Sequence, residues 1–558
     1  MDSVISVLVR TGIGLASVLL LAIVVEKAFS ARLDPREPPL LPSKLPVIGH
    51  LIGFLRYGSA YYMQLCRNND LPIYTINMPN GKTYVAGSTQ IVTVIQRNAK
   101  TLSFDPILTI VAERLGGITG RHLHILREIE SGGDGAHRKL VHAMSPSLTG
   151  RGLDMMNTPM LKDLEGFLNE LEGQHVAFDL WKWTRHVISI SSTDAVYGPE
   201  NPYRIDNDQY EANFWTYESN LTMLLVNVYP QYTARESYRQ REWLAERMID
   251  YYRRGAWKRG SLMVQNRCQT GLDNQVPIEA IARLEVPGGT GILSNTVPTA
   301  FWTLVNILSR QTLLAEVRQE VEKVFTVEKQ PDADAGAGAK EVWTLDAAEL
   351  RTKCPLLFSI YQETLRTRAS FASPRYVLED TVLEGRYLLK KGSILQIPSA
   401  SLHNERSQWG DGAQDFDPYR FTQKSMVKRS PVAFRVFGGA PALCPGRHFA
   451  TVEVLCFVGM VVTRYDLSPA SASASTSATA VEPWILPPPN YGNMAASILP
   501  PLGDIAVKVS TRKGYEGRKW QYKVTSLSSE EESLFALASE GVENAQDSLT
   551  RAGVGLWK

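Results

Sequence analysis

The chain has 558 residues, 44% of them hydrophobic, and a formal charge of +2. It holds apolar material for a large core, and its near-neutral balance gives no reason to expect nucleic acid as a partner. Its five cysteines (Cys66, Cys268, Cys354, Cys444, Cys456) are odd in number, far apart and without a Cys-x-x-Cys pair, which argues against a disulfide framework or a structural zinc site and fits a reducing compartment.

Val4 to Val25 is apolar apart from Arg10 and a few small polar residues. At 1.5 Å per residue the run spans roughly 33 Å, about one bilayer core. Arg10 sits near one end, within snorkelling reach of the interface. Lys27, Arg32 and Arg36 follow and only Asp2 precedes, so the positive-inside rule places the C-terminal bulk in the cytosol. The competing reading is a cleaved signal peptide, with Ala28-Phe29-Ser30 as its cleavage site; a secreted chain would show more disulfide-like cysteine usage. From Asp34 to His50 five prolines exclude a helix and favour a stiff extended segment.

Leu71 to Gly87 reads as a β-hairpin, with Ile73–Asn77 and Lys82–Val85 as strands and Pro79-Asn80-Gly81 as the turn. Thr101 to Leu126 reads as loop plus short helix. Phe178 to Gly198 and Glu211 to Arg259 are helical and aromatic-rich, and Trp181, Trp183, Phe214, Trp215, Tyr217, Trp243, Tyr251 and Tyr252 are expected mainly in the core. Arg253, Arg254, Lys258 and Arg259 form a basic cluster, either a solvated face or a contact with anionic lipid. Gly288 to Ser309 is a long apolar helix with Ser294, Asn295 and Thr296 in its middle, where a core helix should carry no polar break; Pro298 removes one backbone hydrogen bond there. Thr326 to Trp343 is polar and reads as a flexible surface insert. Glu363 and Arg366 share one helical face, and Arg420 follows downstream. Tyr387 to Ile397 is strand-rich. Ser471 to Thr479 is a low-complexity loop, Ile505 to Ser510 a strand, and the chain after about Val524 a tail.

Between the strand-rich stretch and the low-complexity loop lies Phe437-Gly438-Gly439-Ala440-Pro441-Ala442-Leu443-Cys444-Pro445-Gly446-Arg447-His448-Phe449-Ala450. Two prolines and three glycines hold it as a loop. An apolar run from Phe449 then opens a helix, so Cys444 stands at a helix N-terminus, where a thiolate is favoured. Gly446 presents no side chain to a flat group approaching the backbone. The loop resembles the haem-binding signature of the cytochrome P450 family, with Phe437, Cys444, Gly446 and Ala450 at the family spacing. The resemblance covers roughly residues 34 to 523. It implies a mainly α fold with small β-sheets and one large catalytic domain behind an N-terminal transmembrane helix. The expected boundaries are a 1–27 anchor, a 28–50 proline-rich hinge, a 51–523 catalytic domain and a 524–558 tail.

By the same resemblance Cys444 is the axial ligand of haem b iron, Arg375 contacts a haem propionate, and Glu363, Arg366 and Arg420 form a buried brace for the Cys loop. His403 and Trp409 fit a structural part of the pattern. Gly288 to Ser309 resembles the distal helix of the branch that contains cholesterol 7α-hydroxylase and prostacyclin synthase, with Ser294-Asn295 in place of the usual acid–alcohol pair. Asn295, flanked by Ser294 and Thr296, is expected to organise a proton relay by holding a water through its carbonyl and NH2. The chain departs from the family at Ala440 and Ala442. It departs again at His137 and Val141, where a Trp and a propionate-binding Arg are usual; Arg138 and Lys139 read as a solvated basic helix face, with a substitute propionate contact as the alternative.

The implied activity is oxidation of a lipophilic small molecule, such as a terpenoid or polyketide intermediate of fungal specialised metabolism, with O2 and electrons from NADPH. No nucleotide-binding fingerprint is evident in this chain, so the NADPH-dependent cytochrome P450 reductase is expected to be a separate polypeptide. Lys424, Lys428 and Arg429 read either as a docking face for an acidic electron donor or as a solvated loop. The expected location is the endoplasmic reticulum membrane, single-pass, with the catalytic domain cytosolic. The alternatives are a redox-neutral isomerase or dehydratase using the same haem, suggested by Asn295, and a non-catalytic haem-binding homologue.

Overall fold

Every residue of the helix Thr296–Leu308 is buried. That is the expected place for a helix apolar on all sides, and the other elements pack around it. The computed structural model describes residues 33–528 and Glu531, apart from 44–48, 79–80, 129–135, 175–176, 206, 332–338, 423–428, 440–441 and 471–482. The anchor read at Val4 to Val25, the loop at Ser471 to Thr479 and most of the tail lie outside these residues. Among the described residues no helix is long and apolar enough to cross a membrane.

The fold is mainly helical with small sheets. The helices that matter for the site are α1 (Ala136–His142), α2 (Leu180–Tyr197), α3 (Gln209–Glu218), α4 (Arg235–Arg253), α5 (Leu262–Asp273), α6 (Ile278–Leu293), α7 (Thr296–Leu308), α8 (Pro355–Arg368) and α9 (Arg447–Arg464). The central α7 packs against α2, α8 and α9. The largest sheet contains β1 (Ile73–Met78), β2 (Gly81–Ala86), β3 (Leu102–Ser103), β4 (Ala372–Val377) and β5 (Ile394–Pro398), in the order β1-β2-β5-β4-β3. β1 and β2 are the expected hairpin, with Ile73 opposite Ala86 and Met78 opposite Gly81. β5 runs parallel to β2 and antiparallel to β4, which sets Arg375 opposite Leu395.

The segment after Asp34 is extended where it is described, as its prolines imply, and it is tied to the body of the molecule. The Leu41 N–H donates to the Thr75 carbonyl at 2.9 Å and Thr75 N–H to that of Pro39 at 2.8 Å, so the described part of the proline segment lies along the outer edge of β1. Thr326 to Trp343 is no structureless insert. Phe325–Pro331 and Ala339–Asp346 pair antiparallel, and Lys519–Lys523 adds a parallel third strand. Trp343 and Trp520 sit 5.9 Å apart there, an aromatic contact that a scan for polar composition overlooks. The basic cluster is largely neutralised: Arg253 pairs with Glu279, Arg254 with Glu200 and Asp250, and Arg259 with Glu200. The aromatics behave as expected, with Phe214, Tyr217, Tyr251 and Tyr252 all buried.

Candidate functional site: a braced cysteine loop and a broken helix

α8 starts on Pro355, whose fixed φ suits the first helical turn. It buries Glu363 and Arg366 completely. Arg366 Nε donates to Glu363 Oε2 at 2.7 Å and Nη2 to Oε1 at 2.7 Å, a two-pronged pair. Arg420 Nε reaches the same carboxylate at 3.1 and 3.2 Å, and the Asp417 N–H at 3.0 Å. The guanidinium hydrogens that remain go to carbonyls. Arg366 donates to His403, Ala413 and Asp415, and Arg420 to Trp409 and Gly412. The three brace residues expected from the sequence therefore meet.

His403 passes the brace on to the Cys loop. Its Nε2 accepts the Arg435 N–H at 3.0 Å, so Nδ1 carries the proton and donates to the Arg366 carbonyl at 3.0 Å. Burial, with the Arg366 and Arg435 charges, pushes this imidazole down to about 3, which keeps it neutral. Trp409 Nε1 donates to the Leu402 carbonyl at 2.9 Å. Arg429 lies over the Trp409 and Phe421 rings, 4.9 and 5.4 Å from their centroids; Lys424 and Lys428 lie outside the described residues.

Three residues past Arg435 the loop turns. Gly438 takes φ +83°, a left-handed conformation that a side chain would strain. Gly438 then pairs with Leu443, and Gly439 with Ala442. The Cys444 N–H donates to the Phe437 carbonyl at 2.9 Å, and the Ala450 N–H to that of Gly446 at 3.0 Å, which opens α9. Burial pushes the Cys444 thiol up. The N–H groups of Gly446 and Arg447 and the Arg447 charge pull it back.

At the edge of the loop lies a residue that the sequence reading passed over. Arg435 is 3% exposed, and neither of its terminal nitrogens has a hydrogen-bond partner among the described residues. Burial and the nearby Arg375 charge push it down to about 10. Arg375 is buried too, held by Ser373 Oγ at 2.9 Å and the Pro374 carbonyl at 2.7 Å, with Asp105 acting on it only at longer range. A Cβ at Gly439 would overlap the Arg435 guanidinium, so that glycine makes room for it. The available signal was a lone charge within the apolar run Val432 to Phe437. The candidate substitutes on α1 point elsewhere: Arg138 faces Asp105 at 3.7 Å, Lys139 donates to Asn274 Oδ1 at 3.1 Å, and both are exposed.

On the distal side the long helix is broken. α6 ends at Leu293 and α7 starts at Thr296. Pro298 has no N–H for the Ser294 carbonyl four residues back, which accounts for the position of the break. Asn295 Oδ1 accepts the Ser497 N–H at 2.8 Å and the Ile498 N–H at 3.1 Å. The expectation that both ends of this amide hold a relay water is thereby corrected: the carbonyl is taken and only NH2 remains. Thr296 Oγ1 donates to the Ile292 carbonyl at 2.9 Å. Trp302 Nε1 reaches the Leu499 carbonyl at 2.8 Å, so the C-terminal segment is fastened to α7 twice.

These residues fit a haem. Gly446 has an ordinary φ of −81°, and a Cβ there would meet no atom of the described residues within 4 Å, so neither the backbone nor their packing demands glycine and they leave space for a non-protein group. Cys444 offers a sulfur with N–H donors aimed at it. Arg375 and Arg435 are buried cations to which no carboxylate is hydrogen-bonded among the described residues, and buried charge calls for a counter-charge. A flat group with an iron and carboxylates at its edge satisfies all three.

The comparisons agree. The family model described as Cytochrome P450 matches residues 292–492. A cytochrome P450 monooxygenase of Hypoxylon pulicicidum, nodJ, is 38% identical over 504 residues, covering 89% of this chain and 94% of its own. A cytochrome P450 monooxygenase of Gibberella zeae is 27% identical over 530 residues, covering 91% and 95%. The human 7-alpha-hydroxycholest-4-en-3-one 12-alpha-hydroxylase is 22% identical over 460 residues, covering 78% and 87%.

Proposed function

The chain belongs to the cytochrome P450 family and is a monooxygenase of that family; from that premise we propose that it oxidises a lipophilic small molecule of fungal specialised metabolism, a terpenoid or polyketide intermediate, while anchored in the endoplasmic reticulum membrane by residues 4–25. The family implies a haem-thiolate cofactor, a redox partner and a small-molecule substrate. The partner we propose is a separate NADPH-dependent reductase. The observation that carries the reading is the closed path from Glu363 through Arg366 and His403 to the Arg435 N–H, which fixes the loop bearing Cys444.

When bound, the haem supplies oxygen activation. The chain supplies the rest. Cys444 ligates through sulfur, with the Gly446 and Arg447 N–H groups steadying its charge. Arg375 and Arg435 hold the propionates. The brace keeps the loop from shifting, so the sulfur stays placed without reorganisation at the moment of reaction. The α6–α7 break, clamped to Ser497 and Ile498 by Asn295, puts the Ser294 hydroxyl and the Asn295 NH2 where they can order water.

Co-expression with a reductase in a host membrane, followed by comparison of metabolites with and without the chain, tests this. Oxygenated products that require both NADPH and the reductase are expected. Products formed without either would overturn the monooxygenase reading in favour of a redox-neutral isomerase or dehydratase.

A further inference from the structure

Glu218 closes α3 and is 7% exposed. A carboxyl so placed needs donors or a counter-charge. Among the described residues it has one aligned donor, Asn493 Nδ2, 3.0 Å from Oε1. The Ser294 hydroxyl adjoins it. Yet Ser294 Oγ, on a residue only 5% exposed, makes no aligned hydrogen bond to the described residues. From α2 the Arg185 guanidinium acts on Glu218 at longer range, lying 5.4 Å from the Trp215 ring centroid. Asn493, Ser294 and Arg185 are the groups that face the carboxyl from the elements around it. Burial pushes it above the usual carboxylate range, and these three pull it back.

Two asparagines fix this arrangement. Asn493 Oδ1 accepts the Ala496 N–H at 3.2 Å, and Asn295 Oδ1 accepts the next two N–H groups, so the segment carrying Asn493 is clamped to the helix break. The distal helix has no acid in its sequence at the break, but an acid from α3 stands beside it in space.

We propose that Glu218 is a positioning residue that holds a proton for the distal pocket and acts through Ser294. The proposal rests on the haem-thiolate reading. In the step, the Glu218 carboxyl passes its proton to Ser294 Oγ as the Ser294 hydroxyl passes its own to a water molecule held in the pocket. Glu218 is left as a carboxylate facing Arg185 and takes a proton from water before the next cycle. One proton enters, one leaves, and no electron moves.

Carbon monoxide on the reduced, haem-loaded chain is the probe, read by the infrared C–O stretch against pH in H2O and D2O. The wild-type band is expected to shift by several wavenumbers as pH rises through the raised carboxyl titration. Glu218→Gln should abolish that pH dependence, Glu218→Asp should restore part of it, and Ser294→Ala should abolish it while leaving Glu218 in place. A wild-type band that does not move with pH, or a pH dependence that survives Glu218→Gln or Ser294→Ala, overturns the proposal. If Glu218→Gln does not fold, the Ser294→Ala result decides alone. A wild type without a thiolate-type CO spectrum would instead sink the haem reading, a distinguishable failure.

Discussion

Glu363 finds its partners nearby: Arg366 three residues on, Asp417 and Arg420 within 57. Asn295 finds its partners 202 and 203 residues away, and Glu218 finds Asn493 275 residues away. The proximal side is a charge network that ties α8 to the segment carrying Asp417 and Arg420, with strands and short helices between them in the chain. The distal side is a polar break in an apolar helix, completed by segments from both halves of the chain. The first can hold its geometry whatever sits in the pocket. The second depends on how α3 and the C-terminal segment come together.

The comparison breaks first at Glu363. Glu363→Ala leaves Arg366 and Arg420 buried without their counter-charge, and a loss of about 3–5 kcal/mol is expected in denaturant unfolding. A loss under about 1 kcal/mol, the level of an exposed pair, would show that the brace is not the rigid half. On the distal side Asn295→Ala strands the Ser497 and Ile498 N–H groups, for an expected loss of about 1–3 kcal/mol. Asn295→Asp keeps the acceptor and should lose less; equal losses in the two variants would deny the clamp.

Arg435 sharpens the comparison with a smaller effect that changes sign. Without haem, Arg435→Leu removes one of two neighbouring buried cations, so the haem-free chain should melt at a higher temperature than wild type. With haem it removes a propionate contact, and haem transfer to an acceptor protein should run about tenfold faster, the equivalent of one charge-assisted hydrogen bond. Destabilisation of both forms would mean that Arg435 only packs.

What could be read from the sequence follows the same division. Cys444, Glu363, Arg366 and Arg420 were singled out through the resemblance of their order and of the Cys loop to the family pattern, since a Glu and an Arg at helical spacing fit any surface helix and Arg420 lies 57 residues from Glu363. The β1–β2 hairpin was legible from its strand residues and turn. The hairpin within Thr326 to Trp343 was not, because its third strand, Lys519–Lys523, is far away in the chain. Asn295 stood out as a polar residue in an apolar helix, but the groups its side-chain carbonyl accepts from are the backbone N–H groups of Ser497 and Ile498, which no composition reveals. Arg435 and Glu218 look like ordinary charges until burial is known; only the fold shows that one lacks a partner and that the other stands beside the helix break.

The central claim is that Cys444 holds the iron. The most direct measurement is the spectrum of the reduced, CO-bound protein after Cys444→Ser, compared with wild type at matched haem content. The account predicts a thiolate-type spectrum for wild type and its complete loss in the variant. A variant that keeps the thiolate-type spectrum would contradict the assignment and move the ligand elsewhere.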